Sequence, residues 1–308
     1  MPHDPPGFPL MLISGDGNPA LAAKIAEELN LPLEPVEAGT FADGETHVHI
    51  GSDVRNATVV IVQPTSPPVN DRLMMLALLA DAACAAGAAR TIGVVPYFGY
   101  SRQEQRGDVG DPRSAQVVAQ LLGSVGLDHL VALDLHAPAL ESALPMPVTL
   151  LRPDALFLPF IRQWNADKLA IVAPDAGGMK RAQRFASQLN AELAVVAKTR
   201  PRHDVATPLK LLGDVQGRTC VIVDDMASTG RTLAGAAERL REAGAKSVHA
   251  IFTHPVMASG AIERLCAAPL DKLITSDSVA MSPHPRFEIV STAPLLAQAI
   301  RDVVGNGH

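Results

Sequence analysis

The chain has 308 residues, of which 47% are hydrophobic and 19% charged, proportions of a globular protein rather than a disordered one. Its formal charge of −6 gives no bulk attraction to nucleic acid. Three cysteines (Cys84, Cys220 and Cys266) lie far apart without a Cys-x-x-Cys spacing, which argues against zinc and thiol-redox sites and leaves buried, reduced thiols.

Short β-branched runs alternate with amphipathic helical stretches along almost the whole chain. A strand expected at 10–14 leads to a helix at 19–30, and a strand at 58–63 to a helix at 70–87. A strand at 91–95 precedes a helix at 114–125, and a strand follows at 129–133. The second half continues with strand 169–173, helix 178–189, strands 193–196 and 220–223, helix 229–243, strands 248–252 and 272–274, and helix 293–303. This alternation predicts an α/β protein with parallel sheets flanked by helices. Pro145, Pro147 and Pro153 mark a boundary. Residues 1–148 and 149–308 are therefore expected to form two domains, each with its own sheet. The segment 199–217, with Pro201, Pro208, Gly213 and Gly217, is expected to be a long loop of functional character. The apolar stretch 73–89 is broken by Asp81 and reads as a buried helix, not a membrane span. With no basic-then-apolar start, a cytoplasmic location is expected.

Polar motifs fall at the expected strand ends, where open α/β sheets bind ligands. Phe41-Ala-Asp43-Gly44-Glu45 reads by itself as an Asp-Gly turn at the edge of a hairpin. Residues 94–106 end a strand with aromatics and then present Arg102, Gln103 and Arg106, which suits a nucleotide: aromatic faces stack, and arginine forks grip phosphate oxygens. Asp134 and His136 share a face if their strand continues, and Asp175 ends another strand before a glycine pair. Both sites suit magnesium or hydrogen bonding, because Mg2+ carried by a triphosphate needs only one or two protein ligands. Lys198 and Arg200 open the long loop, where cations can close on a transferring phosphoryl group. Two further patterns carry little. Gly15-Asp-Gly-Asn-Pro-Ala20 lacks the third glycine of a dinucleotide loop, and His47-Val-His49 has no third ligand nearby.

Residues 221–232, Val-Ile-Val-Asp-Asp-Met-Ala-Ser-Thr-Gly-Arg-Thr, say the most. An apolar strand ends in Asp224 and Asp225, then a small hydroxyl-rich turn opens a helix. Loop amides at a helix N-terminus favour an anion, and Thr229 and Thr232 add hydroxyl donors. The two carboxylates repel phosphate and so suit sugar hydroxyls or a cation. A ribose carrying a 5-phosphate needs that combination. A helix capped by Ser228 or Thr229 would account for one hydroxyl but not for adjacent acids.

This loop resembles the phosphoribosyl-diphosphate (PRPP) loop shared by type I phosphoribosyltransferases and PRPP synthetases, and alone it does not choose between them. Six ordered segments do. Phe-x-Asp-Gly-Glu at 41–45, Pro-Tyr-Phe-Gly-Tyr-x-Arg-Gln at 96–103, Asp-Leu-His-Ala at 134–137, Pro-Asp-x-Gly-Gly at 174–178, Lys-x-Arg at 198–200 and the loop at 224–232 together resemble the ribose-phosphate diphosphokinase (PRPP synthetase) family. The resemblance implies two similar domains of the type I phosphoribosyltransferase kind, an ATP side and a ribose 5-phosphate side, with the final helix packing back on the first domain. It implies ATP contacts from Arg102, Gln103 and Arg106, and from Phe41, Asp43, Gly44 and Glu45 of a neighbouring subunit in a homo-oligomer. By the same resemblance, His136 and Asp175 hold Mg2+, and Lys198 and Arg200 are catalytic. Asp224 and Asp225 take the ribose hydroxyls, while Ser228, Thr229, Gly230, Arg231 and Thr232 cradle the 5-phosphate. The residues after Gln103 and the triplet Lys198-Thr-Arg200 are similar to the archaeal-type branch. A non-catalytic relative and a phosphoribosyltransferase are the alternative readings.

Overall fold

The computed structural model describes residues 8–104, 106–136, 138–164, 168–198 and 209–305. In chain order it begins β1 (Leu10–Ser14), α1 (Pro19–Leu29), β2 (Val36–Thr40), β3 (Thr46–Ile50), β4 (Thr58–Val62), α2 (Val69–Ala85) and β5 (Arg90–Val95). Then come α3 (Ser114–Ser124), β6 (His129–Leu133), a 3-10 helix (Pro138–Ala143), β7 (Val148–Leu151), α4 (Asp154–Gln163), β8 (Leu169–Ala173) and α5 (Met179–Leu189). The chain continues with β9 (Glu192–Lys198), β10 (Leu209–Leu212), β11 (Thr219–Met226), α6 (Arg231–Glu242) and β12 (Ser247–His254). It closes with α7 (Ala261–Ala267), β13 (Lys272–Ser276), β14 (Phe287–Val290) and α8 (Ala293–Gly305).

These elements form two compact units. The first holds the described residues up to Arg152, together with 278–280 and the stretch from Ser291 onward. Its five-stranded sheet, β1-β4-β5-β6-β7, is parallel throughout. The β6–β7 ladder keeps 148–151 in this unit, so the division falls after Arg152 rather than at 148/149. The final helix belongs to this unit as well: α8 packs on α1 and against β6 and β7.

Strand β4 explains why the sheet needs helices on both faces. All five of its residues are buried. Val59 and Ile61 join Leu76, Leu79 and Leu122 on one side, whereas Val60 and Val62 meet Leu21, Ile25, Leu296 and Ile300 on the other. Alternate side chains of a strand point to opposite faces, so a wholly apolar run is stable only between two helical layers. The glycines at 15 and 17 serve close packing. A Cβ on Gly17 would lie 2.6 Å from the Pro64 carbonyl oxygen, and Asn18 caps α1 through a bond from Leu21 N–H to its Oδ1 at 3.2 Å. Strands β2 and β3 pair antiparallel as a separate hairpin, with Phe41–Glu45 as its turn; Phe41 N–H donates to the Glu45 carbonyl at 2.8 Å.

The second unit spans 153–277 and 281–290. Its sheet has the order β10-β9-β8-β11-β12-β13-β14, with only β10 antiparallel to its neighbour. The 199–217 segment, expected to be loop throughout, thus contains a short edge strand. In β11, Cys220 and Ile222 pack with Leu233 and Leu240 of α6, while Val221 and Val223 pack with Phe157 of α4 and Phe185 of α5. Burial pushes the Cys220 thiol up to about 12, as befits an inert core cysteine.

His249 of β12 is the costly member of this core. It is 8% exposed, stacks on Trp164 at a centroid distance of 4.1 Å, and its Nδ1 has no hydrogen-bond partner among the described residues. Burial lowers its pKa from 6.5 to about 4, against the opposing pull of Asp271. Between those values the unfolded chain binds the extra proton, so the folded state loses stability as pH falls from 6.5 towards 4. His249→Phe keeps a flat ring on Trp164 and takes no proton. It is expected to lose less stability than the parent over that window, by at most about 3 kcal/mol. Denaturant titrations at pH 7 and 4.5 measure this, and identical pH dependence in the two proteins would refute it.

Candidate active site

The second unit changes direction once in its parallel sheet. From β8 the chain passes through α5 to β9 on one side, then returns to β11 on the other side of β8. Helix α5 covers one face and α6 the opposite one. At such a switch point the two helices diverge and leave a crevice beyond the carboxyl ends of the strands. Here those ends carry the acids and the cation singled out above. Asp175 lies just beyond β8, Asp224 and Asp225 lie in the last turn of β11, and Lys198 is the last residue of β9. Three neighbouring parallel strands span roughly 10 Å from first to third.

Asp175 is half-buried and accepts the Gly178 N–H at 3.0 Å, a turn that leads into α5. Asp225 is 3% exposed, and its N–H donates to Asp224 Oδ1 at 2.9 Å. Burial, followed by the neighbouring Asp225 charge, raises the Asp224 pKa well above the usual carboxylate value. The Arg181 guanidinium opposes this from Nη1, 4.0 Å from Asp224 and 3.9 Å from Asp225. At that separation burial wins. Two adjacent carboxyl groups offer acceptor oxygens of the kind that sugar hydroxyls can donate to.

Sequence reasoning overlooked Arg181. It occupies the stripe of α5 that buries Ala182, Phe185 and Ala186, and a charged residue at i, i+1, i+4 spacing on a core stripe was the available signal.

After β11, Gly230 adopts φ 72 as the N-cap of α6, and no side chain caps that helix. The alternative weighed for this loop, a helix capped by Ser228 or Thr229, is not what is found. Thr229 Oγ1 stands 3.5 Å from the Arg231 N–H, too long for a good bond. The early N–H groups of the helix and its positive end remain suited to an anion. A Cβ at Gly230 would lie 3.0 Å from Leu265 Cγ, a tight contact that adds to the preference for glycine set by φ.

In the first unit, β5 and β6 are neighbours, so the segments that follow them leave the same edge of the sheet. Arg102, Gln103 and Arg106 are exposed there, as is His136. Gln103 is held by its N–H to the Tyr100 carbonyl at 2.9 Å, and Ser114 at the start of α3 bonds its Oε1 at 2.7 Å. Two expectations are corrected. Tyr97 and Phe98 are 7% and 2% exposed, so those rings fill the core instead of offering stacking faces. Strand β6 stops at Leu133, and Asp134 turns to φ 46, so Asp134 and His136 do not continue a strand face. The hairpin turn presents Phe41, 56% exposed, with its ring 4.7 Å from that of His47. Asp43 Oδ1 accepts the Glu45 N–H at 3.2 Å, and Gly44 takes φ 95. The Lys198 side chain and Arg200 lie outside the described residues; the Lys198 backbone pairs with Leu209.

Residues 10–126 match the N-terminal domain of ribose phosphate pyrophosphokinase, and residues 156–280 match the phosphoribosyl transferase domain. A ribose-phosphate pyrophosphokinase of Thermosipho africanus is 41% identical over 94% of this chain and 93% of its own. This chain belongs to the ribose-phosphate pyrophosphokinase family. Another member, from Burkholderia pseudomallei, is 40% identical over 94% of this chain and 92% of its own. The crystal structure of phosphoribosylpyrophosphate synthetase from Mycobacterium smegmatis superposes with a TM-score of 0.90 at 35% identity, covering 97% of this chain and all of that one. These ribose-phosphate pyrophosphokinases are bacterial, and the archaeal-type likeness read from residues 104–114 and 198–200 finds no echo among them. Like them, this family member is a two-domain α/β protein. Among its described residues no helix is long and apolar enough to cross a membrane.

Proposed function

We propose that the protein transfers the diphosphoryl group of ATP to the anomeric hydroxyl of ribose 5-phosphate, giving PRPP and AMP. The observation that carries this reading is the convergence of Lys198, Asp175 and the Asp224–Asp225 pair on adjacent strand ends at the switch point of one sheet. The anomeric oxygen attacks the β-phosphorus and loses its proton, and the bond from that phosphorus to the α-phosphate bridging oxygen breaks. No protein nucleophile is needed; positioning and charge do the work. In this reading Asp224 and Asp225 accept the ribose hydroxyls, and Ser228, Thr229, Gly230, Arg231 and Thr232 hold the 5-phosphate. Lys198 and Arg200 neutralise the moving diphosphoryl group.

The first unit then forms the ATP side, with Arg102, Gln103 and Arg106 on the nucleotide, and the second unit, 153–277 and 281–290, the ribose 5-phosphate side. The exposure of Phe41 at a hairpin tip supports a homo-oligomer in which Phe41, Asp43, Gly44 and Glu45 serve the active site of a neighbouring subunit. Among the described residues no three His, Cys, Asp or Glu side chains converge as a metal cage. A cation that arrives on phosphates needs no cage, and the carboxylate of Asp175 offers the hard oxygen it prefers. His136 of the first unit and Asp175 of the second are each proposed to contact Mg2+, directly or through water, and the ion when bound would screen the phosphate charge. Residues 104–114 and 198–200 support, by their sequence, a place nearer the archaeal-type branch of the family. The absence of a membrane-length helix among the described residues agrees with a cytoplasmic setting.

The test is direct. Purified protein supplied with ATP, ribose 5-phosphate and Mg2+ is expected to form AMP and PRPP in equal amounts. Folded protein that forms neither, with inorganic phosphate also tried as activator, would overturn the reading and favour a non-catalytic relative.

A further inference from the structure

We infer that Arg264 is a positioning residue for the 5-phosphate: by holding the Thr229 carbonyl it turns the Gly230 N–H towards the ligand. The inference rests on the proposed ribose 5-phosphate site and adds to it a residue from outside the 224–232 loop.

Three consecutive carbonyls of that loop are tied to one segment. The Ala227 carbonyl accepts the Met257 N–H at 3.0 Å, and the Ser228 carbonyl accepts the Ala258 N–H at 2.9 Å. The Thr229 carbonyl accepts Nη1 of Arg264, in the last turn of α7. In a planar trans peptide the C=O of one residue and the N–H of the next point in opposite directions. The N–H groups of Ser228, Thr229 and Gly230 therefore each point away from residues 257–264. Consecutive N–H groups turned to one side form an anion-binding concavity, which here runs on into the open N-terminus of α6.

The three ties differ in kind. Two are backbone to backbone and survive any side-chain substitution. The third is a charged guanidinium on a carbonyl, and it holds the peptide between Thr229 and Gly230. Glycine at 230 lowers the barrier to other φ, ψ values, so this peptide is the one most free to rotate once released. Leu265, the next residue on α7, closes the space beneath Gly230, where a Cβ would approach its Cγ to 3.0 Å. Arg264 and Leu265 thus brace one peptide from the side and from below. The guanidinium also polarises the peptide, strengthening the N–H it orients.

The experiment compares the parent protein with Arg264→Ala and Arg264→Lys. Calorimetric Kd values for ribose 5-phosphate and for ATP with Mg2+ are measured alongside KM, kcat and melting temperature. Arg264→Ala is expected to raise Kd and KM for ribose 5-phosphate by ~10- to 100-fold, the value of one hydrogen bond to a charged group. The ATP constants are expected to stay within about twofold, because the lost donor faces only the phosphate. Arg264→Lys keeps one donor and is expected to recover most of the affinity, and added methylguanidine is expected to restore part of it to Arg264→Ala. A parent that binds ribose 5-phosphate and an Arg264→Ala variant that binds it equally well would overturn the inference and leave the proposed function standing. Parallel loss of affinity for both substrates, with no recovery by lysine or methylguanidine, would also overturn it, since that is what a merely loosened α7 produces. A parent that fails to bind ribose 5-phosphate would remove the proposed function itself, and the inference with it.

Discussion

Lys198→Ala is expected to lower kcat by ~10^3-fold while leaving KM for both substrates within a few-fold of the parent. Moving a diphosphoryl group between two oxygens spreads negative charge over phosphate oxygens that the ground state already crowds. A cation that meets this charge mainly in the transition state lowers kcat when removed, whereas one that binds substrate and transition state alike raises KM. Lys198 ends β9, next to the strand that leads to Asp175, and the segment with Arg200 begins there. The stability cost is expected to be small, with a melting temperature within ~2 °C, because the β9–β10 pairing at Lys198 and Leu209 uses backbone groups that alanine keeps. Arg200→Ala is expected to act on the same charge, so the double variant should fall well short of the product of the single losses. Turnover within tenfold of the parent, or a loss confined to KM, would remove Lys198 from the catalytic role.

How much of this was readable from the chain depends on where each signal lies. Strands such as β4 and β11 are apolar on both faces and announce a doubly covered parallel sheet, so most of both sheets and helices α1, α2, α3, α5, α6 and α8 follow from periodicity, whereas α4, with Pro159 inside it, does not. The pieces that escaped are short or sit at edges. Strands β7, β10 and β14 have four residues each, and α7 has seven, too few for a period to emerge from noise. The acids of the site were legible because they follow apolar strands in the sequence itself. Arg181 and Arg264 were not, because their partners are remote in sequence. Arg181 reaches acids 43 and 44 positions away (224 − 181 and 225 − 181), and Arg264 a carbonyl 35 positions away. Only the folded sheet brings these groups together. Conversely, reading Asp134 and His136 as one face assumed a strand that a single left-handed residue ends.

Asp224→Asn is expected to make the protein more stable and nearly inactive, and the two effects share one cause. Asp224 lies against Asp225 in a buried strand end, and its pKa is raised well above 3.8 by burial first and by Asp225 second, with Arg181 pulling the other way. A carboxyl whose folded pKa exceeds its unfolded one binds more protons in the folded state, so stability falls as pH rises through that interval. Burial thus disfavours the charged form of Asp224 in the folded protein. Asparagine removes the charge, keeps an oxygen that can accept the Asp225 N–H now bound at 2.9 Å, and leaves Arg181 facing a single acid. The expected gain is on the order of 1 kcal/mol, or ~2–4 °C in melting temperature, growing as the pH rises above the ordinary carboxylate range. Function moves the opposite way, since a neutral amide is a poorer acceptor for a ribose hydroxyl than a carboxylate. A fall in kcat/KM for ribose 5-phosphate of ~10^2-fold is expected, with KM for ATP little changed. Melting curves over that rise in pH and initial rates at varied ribose 5-phosphate measure both sides. A variant that is less stable at pH 8 than its parent would show the pair to be a structural ion network. A variant that is more stable yet fully active would show that the carboxylate of Asp224 does not meet the sugar.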